Sequence, residues 1–346
     1  MTPAERNDDG EIVEPPNSTV DDWLGQQASA DDEEVDELLD ETDGDVDEAE
    51  RRFPERSHED RPDRLPTEER RTWPVERTVL VTGAGSGIGL ATAIEAARLG
   101  FRAVAAVHRP EQLADVHAAA AEAGIEVDAD VLDVTDGGAT AALVDRIEPW
   151  AVVASAGFMN PGLIEDVPID DARHQLEVML LAPARLAQIA LPGMRRRGGG
   201  RIVVLSSPLG EVGLPPQGWY SATKRALSAL CDALRVEVVA DAVDVVLVEP
   251  GAAATSLWDE ASAVLAERRA RSARSEVYDR GIALQDCVQG RAADPTVVAG
   301  VVGTALRAAH PRFRYRTPAA TVPFAVAARV VPTSVRDRVV RALGAV

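Results

Sequence analysis

From Arg77 onward the chain alternates short Val-rich apolar runs with longer Ala- and Leu-rich segments. Several of the short runs lack any polar alternation, so both of their faces must be buried, and the long segments between them must cross back over them as helices. Strands are predicted at Thr78–Thr82, Ala103–Val107, Glu126–Leu132, Ala151–Ala154, Arg201–Leu205 and Val243–Val248. Helices are predicted at Gly87–Leu99, Ala172–Arg196 and Tyr220–Val239, with further helical stretches at Ser256–Gln289 and Pro295–Ala309. The expected class is α/β: a doubly wound parallel sheet of about seven strands with helices on both faces.

Charge divides the chain. Of the formal net charge of -21, residues 1–75 carry -18, from 26 acidic residues against 8 arginines, and the remainder is close to neutral. A segment this acidic, with few aromatics, cannot bury enough apolar surface to fold alone, so residues 1–74 are expected to form a disordered tail. Val35, Leu38 and Leu39 fall at helical spacing, so the tail is either a solvated spacer or a short helix that forms on a partner. Residues 75–318 form the expected catalytic domain, and residues 319–346 a helical extension broken at Pro332. No clustered basic stripe exists, which argues against nucleic acid. Two cysteines and five scattered histidines build neither a disulfide framework nor a metal site. With no basic leader and no long uninterrupted apolar run, the expected setting is cytoplasmic, without integral membrane association.

The first predicted strand runs straight into a glycine-rich turn, Thr82-Gly83-Ala84-Gly85-Ser86-Gly87-Ile88-Gly89. Glycines there permit a tight turn and close backbone approach to a pyrophosphate at a helix N-terminus. Alone, such a turn can also be only a turn. The second cluster is Ser206-Ser207 after a strand, followed by Tyr220-Ser-Ala-Thr-Lys224 opening a helix. Tyrosine and lysine four residues apart share a helix face. Lys224 is moreover the sole lysine among 36 cationic side chains. A phenol beside an ammonium is expected to turn more acidic, so Tyr220 can exchange a substrate proton, Ser207 can hydrogen-bond a carbonyl oxygen, and Lys224 can also hold a ribose.

With these residues the segment Val75–Pro318, about 70% of the chain, resembles a classical short-chain dehydrogenase/reductase. The resemblance rests on the Thr-Gly-x-x-x-Gly-Ile-Gly turn, on Tyr220-x-x-x-Lys224 and on Ser207 thirteen residues before the tyrosine. It implies a Rossmann-type fold and a nicotinamide cofactor contacted by Thr82, Gly83, Ser86, Gly87, Ile88 and Gly89. It adds Asp133 and Val134 at adenine, Ala156 and Gly157 after the fourth strand, Tyr220 and Lys224, and Pro250, Gly251 and Thr255 beside the nicotinamide. Homo-oligomers, dimers or tetramers joined through the helices at 172–196 and 220–239, are also implied.

Two positions depart from the family pattern. Ala154-Ser155-Ala156-Gly157 lacks the usual asparagines, and Met179 stands where an asparagine commonly supports a water in the proton relay. The second strand ends in His108-Arg109 with no acidic residue, so Arg109 is expected to favour the 2'-phosphate of NADP, with NAD still possible. The expected function is NADP-preferring hydride transfer on an apolar alcohol or ketone. Leu209, Val212, Leu214, Trp219 and Trp258 are expected around the substrate, covered by residues 256–290. Two alternatives stay open: a weakly active NADP-binding sensor, motivated by Met179 and Ala154, and an acyl-carrier ketoreductase that docks its carrier on Arg195–Arg197.

Overall fold

The computed structural model describes residues 77–317 together with Val331, Ser334, Val335 and Arg338. The acidic tail and nearly all of the C-terminal extension expected from the sequence lie outside the described residues. Seven parallel strands form one sheet: β1 (Thr78–Thr82), β2 (Arg102–Val107), β3 (Asp128–Val131), β4 (Ala151–Ala154), β5 (Gly200–Leu205), β6 (Val243–Pro250) and β7 (Arg314–Thr317). Their order is β3-β2-β1-β4-β5-β6-β7. The order reverses between β1 and β4, and at such a switch point the helices leave in opposite directions and open a crevice beyond the strands' carboxyl ends.

Side chains of β1 alternate between two cores. Val79 and Val81 pack on one face with α1 (Gly87–Arg98), α2 (Gln112–Glu122) and α9 (Pro295–Arg307). Leu80 points to the other face, with α3 (Gly137–Ile147), α5 (Ala182–Arg196) and α6 (Gly218–Glu237). Both faces of the central strands are therefore covered, which explains their unbroken apolar sequences. The helix that begins as α4 (Ile169–Leu176) and continues into α5 is long and apolar enough to cross a membrane. Its inner stripe, including Leu186, Ala190 and Met194, belongs to the sheet-covering core.

Two features depart from the sequence reading. The helix predicted from Ala172 starts at Ile169 and is interrupted by a π-helical turn, Glu177–Leu181, with Met179 buried at its centre. Such turns cost hydrogen-bond regularity and recur at functional sites. The seventh strand, Arg-Tyr-Arg-Thr, carries no apolar run at all. Arg314 and Arg316 both pair with Glu249 of β6, which is 1% exposed. A buried carboxylate satisfied by two guanidinium groups does here what apolar side chains do elsewhere.

Helices α7 (Leu257–Arg271) and α8 (Ser275–Gln289) form a cover over the crevice. The buried Tyr278 hydroxyl donates to Asp166 Oδ2 at 2.8 Å and accepts from Leu163 N at 3.1 Å. Arg268 donates to Pro161 O at 2.7 Å and to Asp171 at 2.8 Å. The cover is thus fastened to the segment between β4 and α4.

Candidate active site

A cavity of about 760 Å³ runs from the glycine turn, across the carboxyl ends of β1 and β4, to Tyr220 and the cover. The turn itself is shaped for a large flat group. Gly83 has φ +67°, and a Cβ there would stand 2.5 Å from Ala156 Cα. A Cβ on Gly87 would stand 2.8 Å from Thr255 Cγ2. Ser86, the N-cap of α1, makes no side-chain capping bond, and the first turn carries no acidic residue. Its N–H groups are left for an anion, as a pyrophosphate requires. By shape and by donors, the residues present fit a dinucleotide.

At the other end β5 delivers Ser206 and Ser207, and the first two turns of α6 deliver Tyr220 and Lys224. Ser206 Oγ bonds Ser228 Oγ at 3.1 Å and fixes the strand to the helix. Ser207 Oγ accepts from Leu209 N at 3.2 Å, and its hydroxyl acts on the Tyr220 phenol to favour the ionised form. Lys224 is buried, donates from Nζ to Leu205 O at 2.7 Å, and lies 5.8 Å from the centre of the Tyr220 ring. All three side chains line the one cavity. The expected acidic phenol is a correction, however. Burial pushes Tyr220 up to about 12, only partly countered by Ser207. Burial likewise pulls Lys224 down to about 8. With the protein's own groups alone, the phenol keeps its proton at neutral pH.

Ser86, Ile88, Gly89, His108, Arg109, Asp133, Val134, Gly157, Pro250, Gly251 and Thr255 also face the cavity. His108 and Arg109 are exposed at the end of β2. The N–H and hydroxyl of Thr135 hold the Asp133 carboxylate below its ordinary range, at 2.9 and 2.7 Å. Thr82 is the exception. It stands behind the cavity wall, where its hydroxyl donates to Val153 O at 3.3 Å and accepts from Ser155 N at 3.3 Å. Its hydroxyl ties β1 to β4 under the crevice.

A family model described as short chain dehydrogenase matches residues 77–265, more than half of the chain. The chain belongs to the short chain dehydrogenase family. An uncharacterized oxidoreductase of Escherichia coli, YbbO, is 29% identical over 269 residues, 77% of this chain and 95% of its own. The 17-beta-hydroxysteroid dehydrogenase type 1 of Homo sapiens is 31% identical over 254 residues, 69% of this chain and 76% of its own. A solved short chain dehydrogenase/reductase from Burkholderia phymatum in complex with NAD superposes with a TM-score of 0.64 at 25% identity, covering 72% of this chain and 92% of its own.

Within this short-chain dehydrogenase several sequence expectations need correction. Leu209, Leu214 and Trp258 line the cavity, but Val212 and Trp219 do not. Val212 is buried elsewhere, and the Trp219 carbonyl accepts from the Thr223 hydroxyl at 2.8 Å. Arg195 and Arg196 close α5 and Arg197 follows it, just before β5 begins and at the end of the strands opposite the cavity, so these arginines do not adjoin the pocket. Met179 lines the cavity and packs toward Gly157, an apolar contact where the family pattern has an amide. Phe158, Met159, His174, Gln217 and Gln285 are cavity residues that the sequence reading did not single out. They come from loops, from α4 and from the cover, where composition does not mark which side chain turns inward.

Proposed function

We propose that this protein is an NADP-preferring reductase or dehydrogenase acting on an apolar ketone or alcohol, with Tyr220 as proton donor or acceptor. The observation that carries the reading is that Ser207, Tyr220 and the buried Lys224 line one cavity that is continuous with the glycine turn. A bound nicotinamide supplies or takes up hydride. Ser207 holds and polarises the carbonyl oxygen, and Tyr220, protonated at neutral pH, gives its proton to that oxygen as the alcohol forms. Lys224 stabilises the negative charge that develops on the phenol. Leu209, Leu214, Trp258 and Leu284 exclude water and favour an apolar substrate. The hydroxysteroid relative is in keeping with that polarity. The test is NADPH consumption with a panel of apolar ketones. Tight NADPH binding without turnover of any of them would instead favour the sensor reading that Met179 motivates.

The pH dependence follows from the two buried groups. Lys224 loses its charge through about pH 8, while Tyr220 keeps its proton to about pH 12. In kcat/KM, which reports groups of the free enzyme, ketone reduction is expected to be level at acidic to neutral pH and to fall above about pH 8. A profile level to about pH 10 would mean that the ammonium is not needed.

For the cofactor, Arg109 has no carboxylate partner among the described residues and sits at the cavity rim, where an acidic residue would repel a 2'-phosphate. Arg109→Ala is expected to weaken NADPH binding roughly tenfold and to leave NADH binding nearly unchanged, since an exposed charge-assisted contact contributes on the order of 1 kcal/mol. Equal losses in a fluorescence titration would remove the phosphate role. For localisation and assembly, we infer a cytoplasmic homo-oligomer joined through the outer faces of α5 and α6. Leu181, just before α5, and Val236 of α6 stand about half exposed, at 48% and 50%.

A further inference from the structure

Where β2 gives way to α2, Gln112 and Arg109 hold each other. The Gln112 N–H donates to Arg109 O at 3.1 Å, and the Arg109 N–H donates to Gln112 Oε1 at 3.0 Å. An amide turned the other way would set its NH2 group against that N–H donor, so the oxygen is fixed toward Arg109 and the nitrogen away from it. The nitrogen lies over the glycine turn: a Cβ on Gly85 would stand 2.3 Å from Gln112 Nε2. Gly85, Arg109 and Gln112 all line the cavity. Nε2 has no hydrogen-bond partner among the described residues and is not sealed from solvent, so a ligand in the cavity can reach it.

Closing the turn into α2 accounts for the oxygen of this amide and not for its nitrogen. A glutamate would close that turn equally well. With its oxygen engaged, the amide offers the cavity donors alone, as does the Arg109 guanidinium beside it. Among the described residues two carboxylates line the cavity, and neither serves this corner: Asp133 accepts from the N–H and hydroxyl of Thr135, and Glu260 belongs to the cover. A ribose 2'-hydroxyl must place its own proton on an acceptor, which neither Arg109 nor Gln112 supplies. A 2'-phosphate brings strong acceptor oxygens and negative charge, and so suits a corner made of donors.

We propose that Gln112 is a specificity-determining residue for the cofactor, its Nε2 donating a hydrogen bond to the 2'-phosphate of NADP beside Arg109. This rests on the NADP-preferring reading above. The test measures the dissociation constants of NADPH and NADH by cofactor fluorescence and takes their ratio within each variant, so that a general loss of binding or of folding cancels. Gln112→Met keeps the length of the side chain and removes both donors. It lowers the preference for NADPH by roughly fivefold to tenfold, as befits one partly exposed hydrogen bond to a charged acceptor. Gln112→Glu keeps the acceptor for the Arg109 N–H but turns a carboxylate toward the phosphate, and lowers the preference by more than roughly thirtyfold. In an Arg109→Ala background Gln112→Met lowers it further, which it could not do by misplacing the guanidinium. A preference in Gln112→Met within about twofold of the wild type overturns the proposal, as does the absence of any further loss in the Arg109→Ala background. A preference lost in Arg109→Ala and kept in Gln112→Met overturns the proposal and leaves the NADP reading standing. A wild type that binds NADPH no better than NADH overturns both.

Discussion

Tyr220→Phe is expected to lower kcat for ketone reduction by about a hundredfold to ten-thousandfold, the range ascribed to a positioned general acid. The substitution removes one oxygen from a half-buried ring and leaves the cavity's shape intact. Ser207 keeps the N–H of Leu209, and the loss of a single polar contact costs about 1 kcal/mol, so the fold should hold. NADPH binding, read by the cofactor's fluorescence, should therefore persist while turnover disappears. Retention of more than about a tenth of the activity would show that the proton reaches the substrate by another route, and the proposed chemistry would fail.

Gly83→Ala should act on binding and on stability together. The residue sits at φ +67°, where a side chain costs about 1–2 kcal/mol, and the new Cβ would stand 2.5 Å from Ala156 Cα and 2.7 Å from Ala156 N. These are backbone atoms of the neighbouring crossover and cannot swing aside. Overpacking adds about 1–3 kcal/mol, so a loss of about 2–5 kcal/mol is expected from urea denaturation. The same displacement spreads the turn from the edge of β4, and NADPH affinity should fall by more than about a hundredfold. Gly100→Ala is the control: its φ is +85°, but nothing lies within 4 Å of an added Cβ. It should lose some stability and no affinity. Similar losses of binding in both variants would mean that global destabilisation, not the cradle, is responsible.

The strands legible in the sequence are those whose burial is written in apolar side chains. β1 and β4 match their predicted limits, and β2, β5 and β6 differ by one or two residues at an end. β7 escaped because its burial is achieved by ion pairing with Glu249, and arginines in a strand look like arginines in a loop. The π turn escaped for a related reason: it changes hydrogen bonding by one residue without changing composition.

The site divides along the same line. Ser207, Tyr220, Lys224 and the glycine turn were visible because their spacing is local and their residue types are constrained by the geometry they must adopt. The proton affinities of Tyr220 and Lys224 were not visible, because they depend on how much water the folded chain removes from each group, and here burial outweighs the neighbouring charge. Thr82 and Gln285 illustrate the same limit: which way a side chain turns is decided by partners far off in the chain. Sequence alone therefore determined the sheet, the turn and the identity of the reactive trio. Tertiary structure decided their protonation and the walls of the pocket, since desolvation and hydrogen-bond partnership belong to the assembled core rather than to any stretch of the chain.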